Sequence, residues 1–559
     1  RSGTIAIVFN GCIYNHRDLR RELLAKGARF TSDHSDTEVL IHGWREWGSQ
    51  LFERLEGMYA VAIWDENDAN LTLARDPAGE KPLYLLRLGN LLAFASSAAA
   101  LIALAARNEL GLPHPDPMAV GQWLAWGFAN TAGLCGIKEL PPNSVWDWRH
   151  EWTHPAKSFL DSEHFEPRRD RPLTLVHAES LLEQAVASRL DADVPLGAFL
   201  SGGTDSSLIS LFARRAHGSL NTFCVAMPGD SDTSGADESA LAAQAAAIIG
   251  SNHTTLTYAS DPAQDLLHLI PQMGLPFGDS SLLPTYWVSK AARQHVKVAL
   301  SGDGGDELFC GYQRQVAAAH LTRYRAFLRA APYQLLEGSL RGKLLAKVER
   351  LLAAAKGIGY PEIAAIFHHI QLQELIGPQA QAVFAKALDS WEHTLSYTAP
   401  EWDFFNYLPG DLLRKVDTAS MSVPLEVRAP FLDSRLIEAC LRAPLSDLMP
   451  GNSRKGLLRA IARRHFPAAL IDRPKQGFSI PLAAWFRNDY GGLRRLLLDS
   501  VLSTEAFPEN LLGIAINRRF IEKMIDEHMR CRRDHSQRLY ILMVLAIWVR
   551  WYQDCGRAV

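Results

Sequence analysis

A loop of small polar residues at positions 201–206 carries the side chains best suited to chemistry in this sequence. Gly202 and Gly203 would allow backbone N–H groups to approach an anion closely, while Ser201 and Ser206 would add hydroxyl donors. A helical pattern follows the loop, so the positive end of that helix would face the same anion. Asp205 could then hold Mg²⁺ against phosphate oxygens. The loop predicts a pyrophosphate-binding site, and a ligand-free turn between strand and helix is the alternative.

The reaction expected of this loop follows from a side chain that it lacks. The other common phosphate loop has the pattern Gly-x-x-x-x-Gly-Lys-Ser/Thr, and the sequence contains no such stretch. In that pattern the lysine reaches the terminal phosphates of the nucleotide. A pyrophosphate loop without this lysine suits an enzyme that cleaves ATP between the α and β phosphates and passes AMP to a substrate carboxylate.

A second loop, residues 301–307, follows the apolar run 296–300 and contains three glycines and three carboxylates within seven residues. Acidic side chains beside a triphosphate would repel it unless a divalent cation lay between them. Asp306 is therefore the second predicted magnesium ligand, opposite Asp205.

The elements that must position these loops alternate between apolar runs and amphipathic stretches. Strands are predicted at 194–200, 222–227, 253–258 and 296–300, and helices at 207–215, 237–249 and 262–270. Such a series predicts an α/β fold with a doubly wound parallel sheet, in which ligands bind at the carboxyl ends of the strands. Both loops follow predicted strands, so the topology would bring them together.

The N-terminal region follows a different pattern. Short β-type runs at 4–9, 59–64, 71–74 and 91–95 are separated by turn residues, and prolines at 113, 115 and 117 mark a boundary. We predict a β-rich domain over residues 1–115, a connecting segment over 116–176 and the α/β domain over 177–559.

The overall composition limits the partners. The 559 residues include 58 basic and 61 acidic side chains, with a net charge of -3, so no global field would attract nucleic acid. The seven cysteines include no Cys-x-x-Cys pair, which disfavours zinc and disulfides and favours a reducing compartment. The apolar stretches 91–106 and 539–549 are interrupted or too short to span a bilayer. We expect a cytoplasmic enzyme that acts on small molecules, without nucleic-acid or membrane partners, and we consider a homodimer as its assembly.

The sequence resembles the glutamine-hydrolysing asparagine synthetases along nearly its whole length. The matching stretches are 10–16 (NGCIYNH), 35–38 (SDTE), 75–77 (RDP), 81–84 (KPLY), 201–206 (SGGTDS), 301–307 (SGDGGDE), 424–433 (PLEVRAPFLD) and 475–478 (KQGF). The resemblance implies an N-terminal glutaminase-like sandwich of the αββα type, incomplete here, that makes ammonia. It also implies a C-terminal ATP-pyrophosphatase domain with extra helices that activates aspartate, and an internal tunnel for ammonia between the two.

The same resemblance implies the reaction and several roles. The aspartate side-chain carboxylate would attack the α-phosphate of ATP, the co-substrate, giving a β-aspartyl-AMP and magnesium pyrophosphate, and ammonia would then displace AMP. Lys475 would stabilise negative charge at the α-phosphate, and Asp303, where many members have Glu, would receive or orient a proton from ammonia. Ser301 and Gly302 would lie near the ribose and the activated acyl group. Val225 would form part of the adenine pocket, with plain sheet core as the alternative.

The N-terminal half departs from the pattern of the resemblance. The nucleophile of such enzymes is a cysteine at the mature N-terminus, whereas residue 1 here is Arg. Asn10 and Gly11 remain as candidate oxyanion donors, and Asp36 as the partner of the glutamine α-amino group. We expect a fragment of a longer product rather than a natural variant that uses free ammonia or another amine, because a sandwich without its opening strands would expose sheet edges and core.

Two side chains within the matching stretches need separate interpretation. Cys12 stands where the usual residue is Glu, and no neighbour in sequence supplies a base, so we do not expect it to be a nucleophile. Arg428 would either bind a substrate carboxylate or form a structural ion pair with a neighbour such as Glu426 or Asp433.

Other functions are alternatives to an aspartate-amidating ligase. Cyclases that form β-lactams or lasso peptides resemble the same family and often lack the cysteine, but they diverge in substrate-facing parts, whereas 475–478 and 430–433 stay close to the synthetase form. RNA-modifying enzymes with a pyrophosphatase loop usually add basic RNA-binding surfaces. A non-catalytic scaffold would not need Asp205, Asp306 and Lys475 together.

Overall fold

The computed structural model describes residues 5–89, 91–108, 111–129, 133–149, 157–158, 169–226, 238–257, 261–330, 343–390, 398–473, 480–505 and 507–557. Mixed α/β architecture fills these ranges, with antiparallel sheets in the N-terminal part and a parallel sheet in the C-terminal part. The predicted fold class is confirmed.

Two antiparallel sheets form the N-terminal part. The strands are β1 (Ile5–Ile13), β2 (Gly57–Asp65), β3 (Asn70–Arg75), β4 (Tyr84–Leu88), β5 (Leu91–Ala95), β6 (Ile137–Glu139), β7 (Ser144–Asp147) and β8 (Lys157–Ser158). One sheet has the order β1-β2-β3-β7-β8 and the other β5-β4-β6. Strands β6 to β8 come from the predicted connecting segment 116–176 and continue these sheets.

Strand β2 shows why the sheets stack. Tyr59, Val61 and Ile63 pack on one side with the helices His16–Ala25 (α1) and Asp36–Trp47 (α2), while Ala60 and Ala62 face the second sheet on the other side. Successive side chains of a strand point to opposite faces, so a strand that is apolar at every position must be covered twice. A helix layer and two sheet layers result.

The C-terminal part is organised around a five-stranded parallel sheet. Its strands are β9 (Leu196–Phe199), β10 (Asn221–Val225), β11 (Asn252–Leu256), β12 (Val298–Leu300) and β13 (Glu426–Arg428), in the order β11-β10-β9-β12-β13. The strand order reverses between β9 and β12, which pair in parallel from Leu196–Val298 to Ala198–Leu300. Loops 201–206 and 301–307 leave the carboxyl ends of these two neighbouring strands, at the place where open α/β sheets bind ligands.

Helices surround both parts, and a short two-stranded ribbon, β14 (Asn510–Leu511) with β15 (Ile514–Ala515), lies near the C-terminus. The helices between the two sheet systems and around the parallel sheet are α3 (Ala98–Arg107), α4 (Pro117–Trp126), α5 (Leu175–Ser188), α6 (Thr204–His217), α7 (Ser239–Ile249), α8 (Pro262–Met273), α9 (Leu282–Ala292), α10 (Gly305–Leu308), α11 (Gln313–Ala330), α12 (Lys343–Lys356), α13 (Tyr360–Ala364), α14 (His369–Ile376) and α15 (Gln379–Ser390). The later helices are α16 (Ala399–Trp402), α17 (Arg414–Met421), α18 (Ser434–Arg442), α19 (Leu445–Leu448), α20 (Gly456–Ala462), α21 (Ala468–Ile471), α22 (Leu482–Asn488), α23 (Leu493–Val501), α24 (Arg518–Met529) and α25 (Ser536–Arg557), with a π-helical stretch at Asp403–Leu413 before α17.

The apolar run 539–549 forms the buried centre of α25. This helix packs against α3, α4, α8 and α23, so it joins the helices that follow the N-terminal sheets to those of the parallel-sheet domain. A helix that is apolar on all sides needs cover on all sides. Across the described ranges, no helix is both long and apolar enough to traverse a bilayer.

Candidate active site

The first loop is closed by its own hydroxyl groups. The Ser201 N–H donates to Ser206 Oγ over 3.2 Å, and the two Oγ atoms lie 3.1 Å apart. Gly202 has a φ of +78°, and a Cβ there would lie 2.6 Å from the backbone of Leu241. Only glycine fits this position without a shift, and helix α6 begins immediately afterwards at Thr204.

The second loop packs directly on Asp205 of the first. A Cβ on Gly302 would lie 3.0 Å from Asp205 Cβ, and one on Gly305 would lie 3.1 Å from Asp205 Cγ. These glycines therefore give the carboxylate of Asp205 room beside the end of β12. The two predicted phosphate loops, which are separated by about a hundred residues in sequence, form one surface at the switch point of the sheet.

Lys455 bridges the two predicted magnesium ligands. Its ammonium group donates to Asp205 Oδ2 and lies 2.8 Å from Asp306 Oδ1. The lysine side chain is only 9% exposed, and the carboxylate side chains are 19% and 16% exposed. Burial lowers the Lys455 pKa, but attraction to the two carboxylates outweighs it and holds the pKa above its ordinary value. A single cation thus reaches both loops.

The donor set fits a nucleotide-borne magnesium ion. Mg²⁺ prefers oxygen ligands and is commonly held by one or two carboxylates together with substrate phosphates. Asp205 and Asp306 supply two such carboxylates, and the Lys455 ammonium is a stand-in cation on the same oxygens. Among the described residues, no group of three or more His, Cys, Asp or Glu side chains could hold a metal ion. The magnesium role of both aspartates stays a prediction.

Asp303 belongs to the second loop and lies near a buried lysine, Lys415. Ser301 Oγ donates to Asp303 Oδ2 over 2.7 Å. Burial raises the Asp303 pKa, and the positive charge of Lys415 partly offsets that rise. Lys415 itself donates to Asp279 Oδ2 and Ser281 Oγ, each over 2.9 Å. The carboxyl group of Asp303 is therefore held in place by a hydroxyl group, and burial makes it more basic than an exposed aspartate.

A small cavity of about 20 Å³, with room for about one water-sized molecule, lies between the N-terminal part and this site. Its walls include Met58, Glu80 and Lys81 on one side and Ser301, Asp303 and Asp417 on the other. Lys81 Nζ and Asp417 Oδ1, 3.0 Å apart, join the two sides. Burial and the neighbouring Asp76 raise the Glu80 pKa to about 8. Asp303 thus belongs to the second predicted phosphate loop and also borders a polar space between the two parts.

Comparison with known proteins assigns the chain to a family. Residues 177–550 match the family model for asparagine synthase, which is more than half of the chain. The chain belongs to the asparagine synthase family. Residues 1–159 match the model for a glutamine amidotransferase domain. An asparagine synthase of this kind is a carbon–nitrogen ligase with ATP as co-substrate, so the predicted enzyme class is confirmed.

Relatives of this asparagine synthase extend over nearly its whole length. Asparagine synthetase (glutamine-hydrolyzing) 1 of Bacillus subtilis (strain 168) is 29% identical over 568 aligned positions, which cover 98% of this chain and 85% of the relative. A putative asparagine synthetase (glutamine-hydrolyzing) of Mycobacterium bovis is 30% identical over 577 positions, which cover 97% and 84%. The solved structure of a glutamine PRPP amidotransferase from B. subtilis is 19% identical to this chain over an alignment that covers 40% of this chain and 46% of the amidotransferase chain, with a TM-score of 0.21.

The predicted glutamine-binding residues of the asparagine synthase lie along and beside strand β1. Asn10 Nδ2 donates to Ser96 Oγ over 3.2 Å, and Asp36 Oδ2 accepts the Ile13 N–H over 3.2 Å. A Cβ on Gly11 would lie 2.0 Å from the carbonyl oxygen of Met58, the residue that also lines the interdomain cavity. Strand β1 thereby connects this region to the cavity wall, while the binding roles of Asn10, Gly11 and Asp36 stay predictions.

Cys12 is unsuited to nucleophilic attack in this environment. Burial raises its pKa to about 12, although the positive charge of Arg428 partly opposes the shift. A thiol with such a pKa is almost entirely protonated at neutral pH, and the thiolate is the reactive form. This agrees with the expectation drawn from the sequence.

Arg428 forms the structural ion pair that was one of its two predicted roles. Its Nε donates to Glu426 Oε1 over 2.7 Å, and its Nη1 donates to the carbonyl oxygens of Arg189 and Asp191 over 2.8 and 2.7 Å. The guanidinium groups of Arg428 and Arg189 also lie 5.7 and 4.5 Å from the ring centre of Tyr14, which belongs to the amidotransferase part. Arg428 therefore joins the two parts.

Of the two remaining predicted residues, Val225 lies within the described ranges and Lys475 does not. Val225, at the end of β10, packs with Phe223 and Leu256 in an apolar cluster beside the first loop, so sheet core and adenine wall both stay open for it. Lys475 lies outside the described residues, as does the rest of the stretch 475–478.

Sequence reasoning missed three charged residues of the site. Lys455, directly before helix α20, and Lys415, in helix α17, face the two predicted phosphate loops, and Glu80 faces the cavity from the amidotransferase part. Lys455 contacts a carboxylate 250 positions away in sequence. The only local signal is the basic pair Arg454 and Lys455 before an apolar run, and such a pair is also typical of an ordinary exposed segment.

Proposed function

We propose that the protein makes asparagine from aspartate, ATP and ammonia. The aspartate side-chain carboxylate attacks the α-phosphate and releases pyrophosphate, which leaves a β-aspartyl-AMP. Ammonia then attacks the acyl carbon, AMP leaves, and a proton is lost from the new amide nitrogen. This proposal rests mainly on one observation: Asp205 and Asp306 both contact the ammonium group of Lys455, beside Asp303. The chain also belongs to the asparagine synthase family.

The first loop is the proposed pyrophosphate cradle. Ser201, Gly202, Gly203 and Ser206 would present hydroxyl and backbone N–H groups to the β and γ phosphates at the start of α6. Asp205 and Asp306 would hold Mg²⁺, which would neutralise part of the phosphate charge. Loop closure by the serine hydroxyls supports this role, because preorganised donors lose little entropy when the anion binds.

The second loop is the proposed acyl-transfer site. Ser301 and Gly302 would lie beside the ribose and the acyl group, with Val225 as a wall for adenine. Asp303 would orient the incoming ammonia and accept its proton, a role supported by its hydrogen bond from Ser301 and its raised pKa. Lys475 would stabilise negative charge on the α-phosphate in both steps.

Glutamine is the proposed source of the ammonia. The match of residues 1–159 to a glutamine amidotransferase domain supports this, as do relatives whose names include glutamine hydrolysis. Asn10 and Gly11 would stabilise the oxyanion, and Asp36 would bind the glutamine α-amino group. The small cavity between Glu80 and Asp303 has room for about one water-sized molecule such as ammonia, which supports direct transfer from one part to the other.

Exchange of labelled pyrophosphate into ATP tests the proposal. Adenylation is reversible, so the unaltered protein should show exchange that requires aspartate and Mg²⁺. Asp205→Ala and Asp306→Ala should each reduce it by about 100-fold or more, because metal-assisted charge stabilisation would be lost. Asp526→Ala is the matched control, since that carboxylate pairs with Arg530 on the exposed face of α24.

Two results would reject the proposal. Exchange that does not depend on aspartate would assign a different acceptor, as expected of a cyclase. Near-normal exchange in either aspartate variant would remove the two-carboxylate metal site from the reaction.

A further inference from the structure

Lys455 occupies an unusual position for a lysine. It has φ 51° and ψ 31°, a left-handed conformation that residues other than glycine adopt rarely. Its backbone N–H donates to the carbonyl oxygen of Cys310, which is itself left-handed with a φ of 57°. Strain of this kind persists where surrounding structure imposes it, and it clusters at functional sites.

The neighbouring backbone is shaped around the contact between Lys455 and Asp306. A Cβ on Gly311 would lie 1.8 Å from Asp306 Oδ1 and 2.4 Å from Lys455 Cε. The absence of a side chain at 311 therefore makes room for the carboxylate and the lysine stem together. Two strained residues and one glycine thus place a buried ammonium group between Asp205 and Asp306.

An ammonium group and a metal ion cannot share this position. Lys455 Nζ is 2.8 Å from Asp306 Oδ1 and also donates to Asp205, so it fills the space that a cation bound by both carboxylates would take. Mg²⁺ would need oxygens at about 2.0–2.1 Å. Metal binding to both carboxylates therefore requires the ammonium group to move away from them.

We propose that Lys455 is an exchangeable internal cation that makes metal binding depend on nucleotide. Without nucleotide, it neutralises Asp205 and Asp306 and opposes a metal ion that arrives alone. When the metal arrives with a triphosphate, the anion supplies a new partner for the ammonium group, so the lysine moves to the phosphates as the metal takes the carboxylates. Lys455 is thus a positioning residue, and this inference rests on the proposed function through the magnesium role of the two aspartates.

Metal binding by the purified protein tests the inference without measuring turnover. Mn²⁺ is the probe, and electron paramagnetic resonance of the free ion gives its affinity. In the unaltered protein, Mn²⁺ should bind about tenfold more tightly with α,β-methylene-ATP than without it. Lys455→Met keeps the length of the side chain but removes its charge, so nucleotide-free affinity for Mn²⁺ should rise about tenfold and the effect of the analogue should shrink.

Lys386→Met is the control variant, because Lys386 is half-exposed and pairs only loosely with Asp116 at 3.5 Å. Its Mn²⁺ affinity should equal that of the unaltered protein. A purely structural role for Lys455 predicts unchanged or weaker Mn²⁺ binding in folded Lys455→Met, and this result would overturn the inference. If Lys455→Met does not fold, the unaltered protein alone tests the inference. Equal affinity for Mn²⁺ with and without α,β-methylene-ATP would also overturn it.

Failure of the proposed function gives a different pattern. Loss of aspartate-dependent exchange in the unaltered protein would reject aspartate as the acceptor, while the response of Mn²⁺ to Lys455→Met could still be present. Normal exchange with no metal response to Lys455→Met would reject only the role of the lysine.

Discussion

Replacement of Gly311 by alanine tests how closely Asp306 must be placed. The new Cβ would lie 1.8 Å from Asp306 Oδ1, whereas ordinary contact begins near 3.4 Å, so the carboxylate must move by about 1.6 Å. Gly311 is not among the residues with positive φ, so the backbone itself accepts alanine. The substitution therefore acts through the side chains of the site rather than through backbone strain.

The expected size of the effect follows from this displacement. Moving a reacting group by about 1 Å can cost about 100-fold in rate. That factor corresponds to about 2.7 kcal/mol of barrier height, since each tenfold is about 1.36 kcal/mol. Overpacking should lower the free energy of unfolding by about 1–3 kcal/mol. We expect Gly311→Ala to remain folded and to lose about 100-fold in aspartate-dependent pyrophosphate exchange.

Exchange rates and urea unfolding of the purified variant measure the two effects. Gly556→Ala is the control, because its Cβ would meet only the flexible side chain of Leu112, at 3.1 Å, far along α25. Exchange by Gly311→Ala within about threefold of the unaltered protein would refute the reasoning, since it would leave less than about 1 kcal/mol for the displaced carboxylate.

Two further substitutions test the charges buried between and within the parts. Glu139 accepts from Arg75 over 2.9 Å and also pairs with Arg414. Glu139→Gln should therefore lower the free energy of unfolding, measured by urea titration, by about 3 kcal/mol. Glu46→Gln is the control, because Glu46 forms an exposed pair with Lys26 and its loss should be under about 1 kcal/mol. A loss as small as that of the control would contradict a buried pair. Burial and the neighbouring Asp279 raise the pKa of Asp411 to about 8. The folded protein therefore keeps a proton that the unfolded chain releases at lower pH, so the free energy of unfolding should fall as pH rises towards 8. Asp411→Asn should remove this slope, so its stability relative to the unaltered protein should rise by roughly 2 kcal/mol from pH 6 to pH 8, and parallel profiles would count against the raised pKa.

The strands and loops of the parallel sheet were open to prediction because their signals are local. Apolar runs mark β9 and β12, and glycines beside acidic residues mark the loops that follow them. The short strand β13 carried no such signal, because it has three residues, two of them charged, directly after a proline-containing stretch. Tertiary pairing with β12, rather than intrinsic strand preference, makes it a strand.

The site was predictable only where its residues follow strand ends. Asp205, Asp303 and Asp306 belong to the two loops, so the rule for parallel sheets places them together. Lys455 reaches the same point from the turn before helix α20, and Glu80 reaches it across the boundary between the parts. Contacts of this kind depend on the packing of whole domains, which residue spacing does not encode.

Tyr14 has a consequence for any attempt to recombine this enzyme with its relatives. Its ring lies under two arginines of the opposite half, and both arginines also donate to main-chain carbonyl oxygens. A chimera with the amidotransferase part of a relative would need an aromatic residue at the same position. Without one, two guanidinium groups would face a surface that does not complement them. Complementarity at this interface, more than sequence similarity of the individual parts, would decide which chimeras fold.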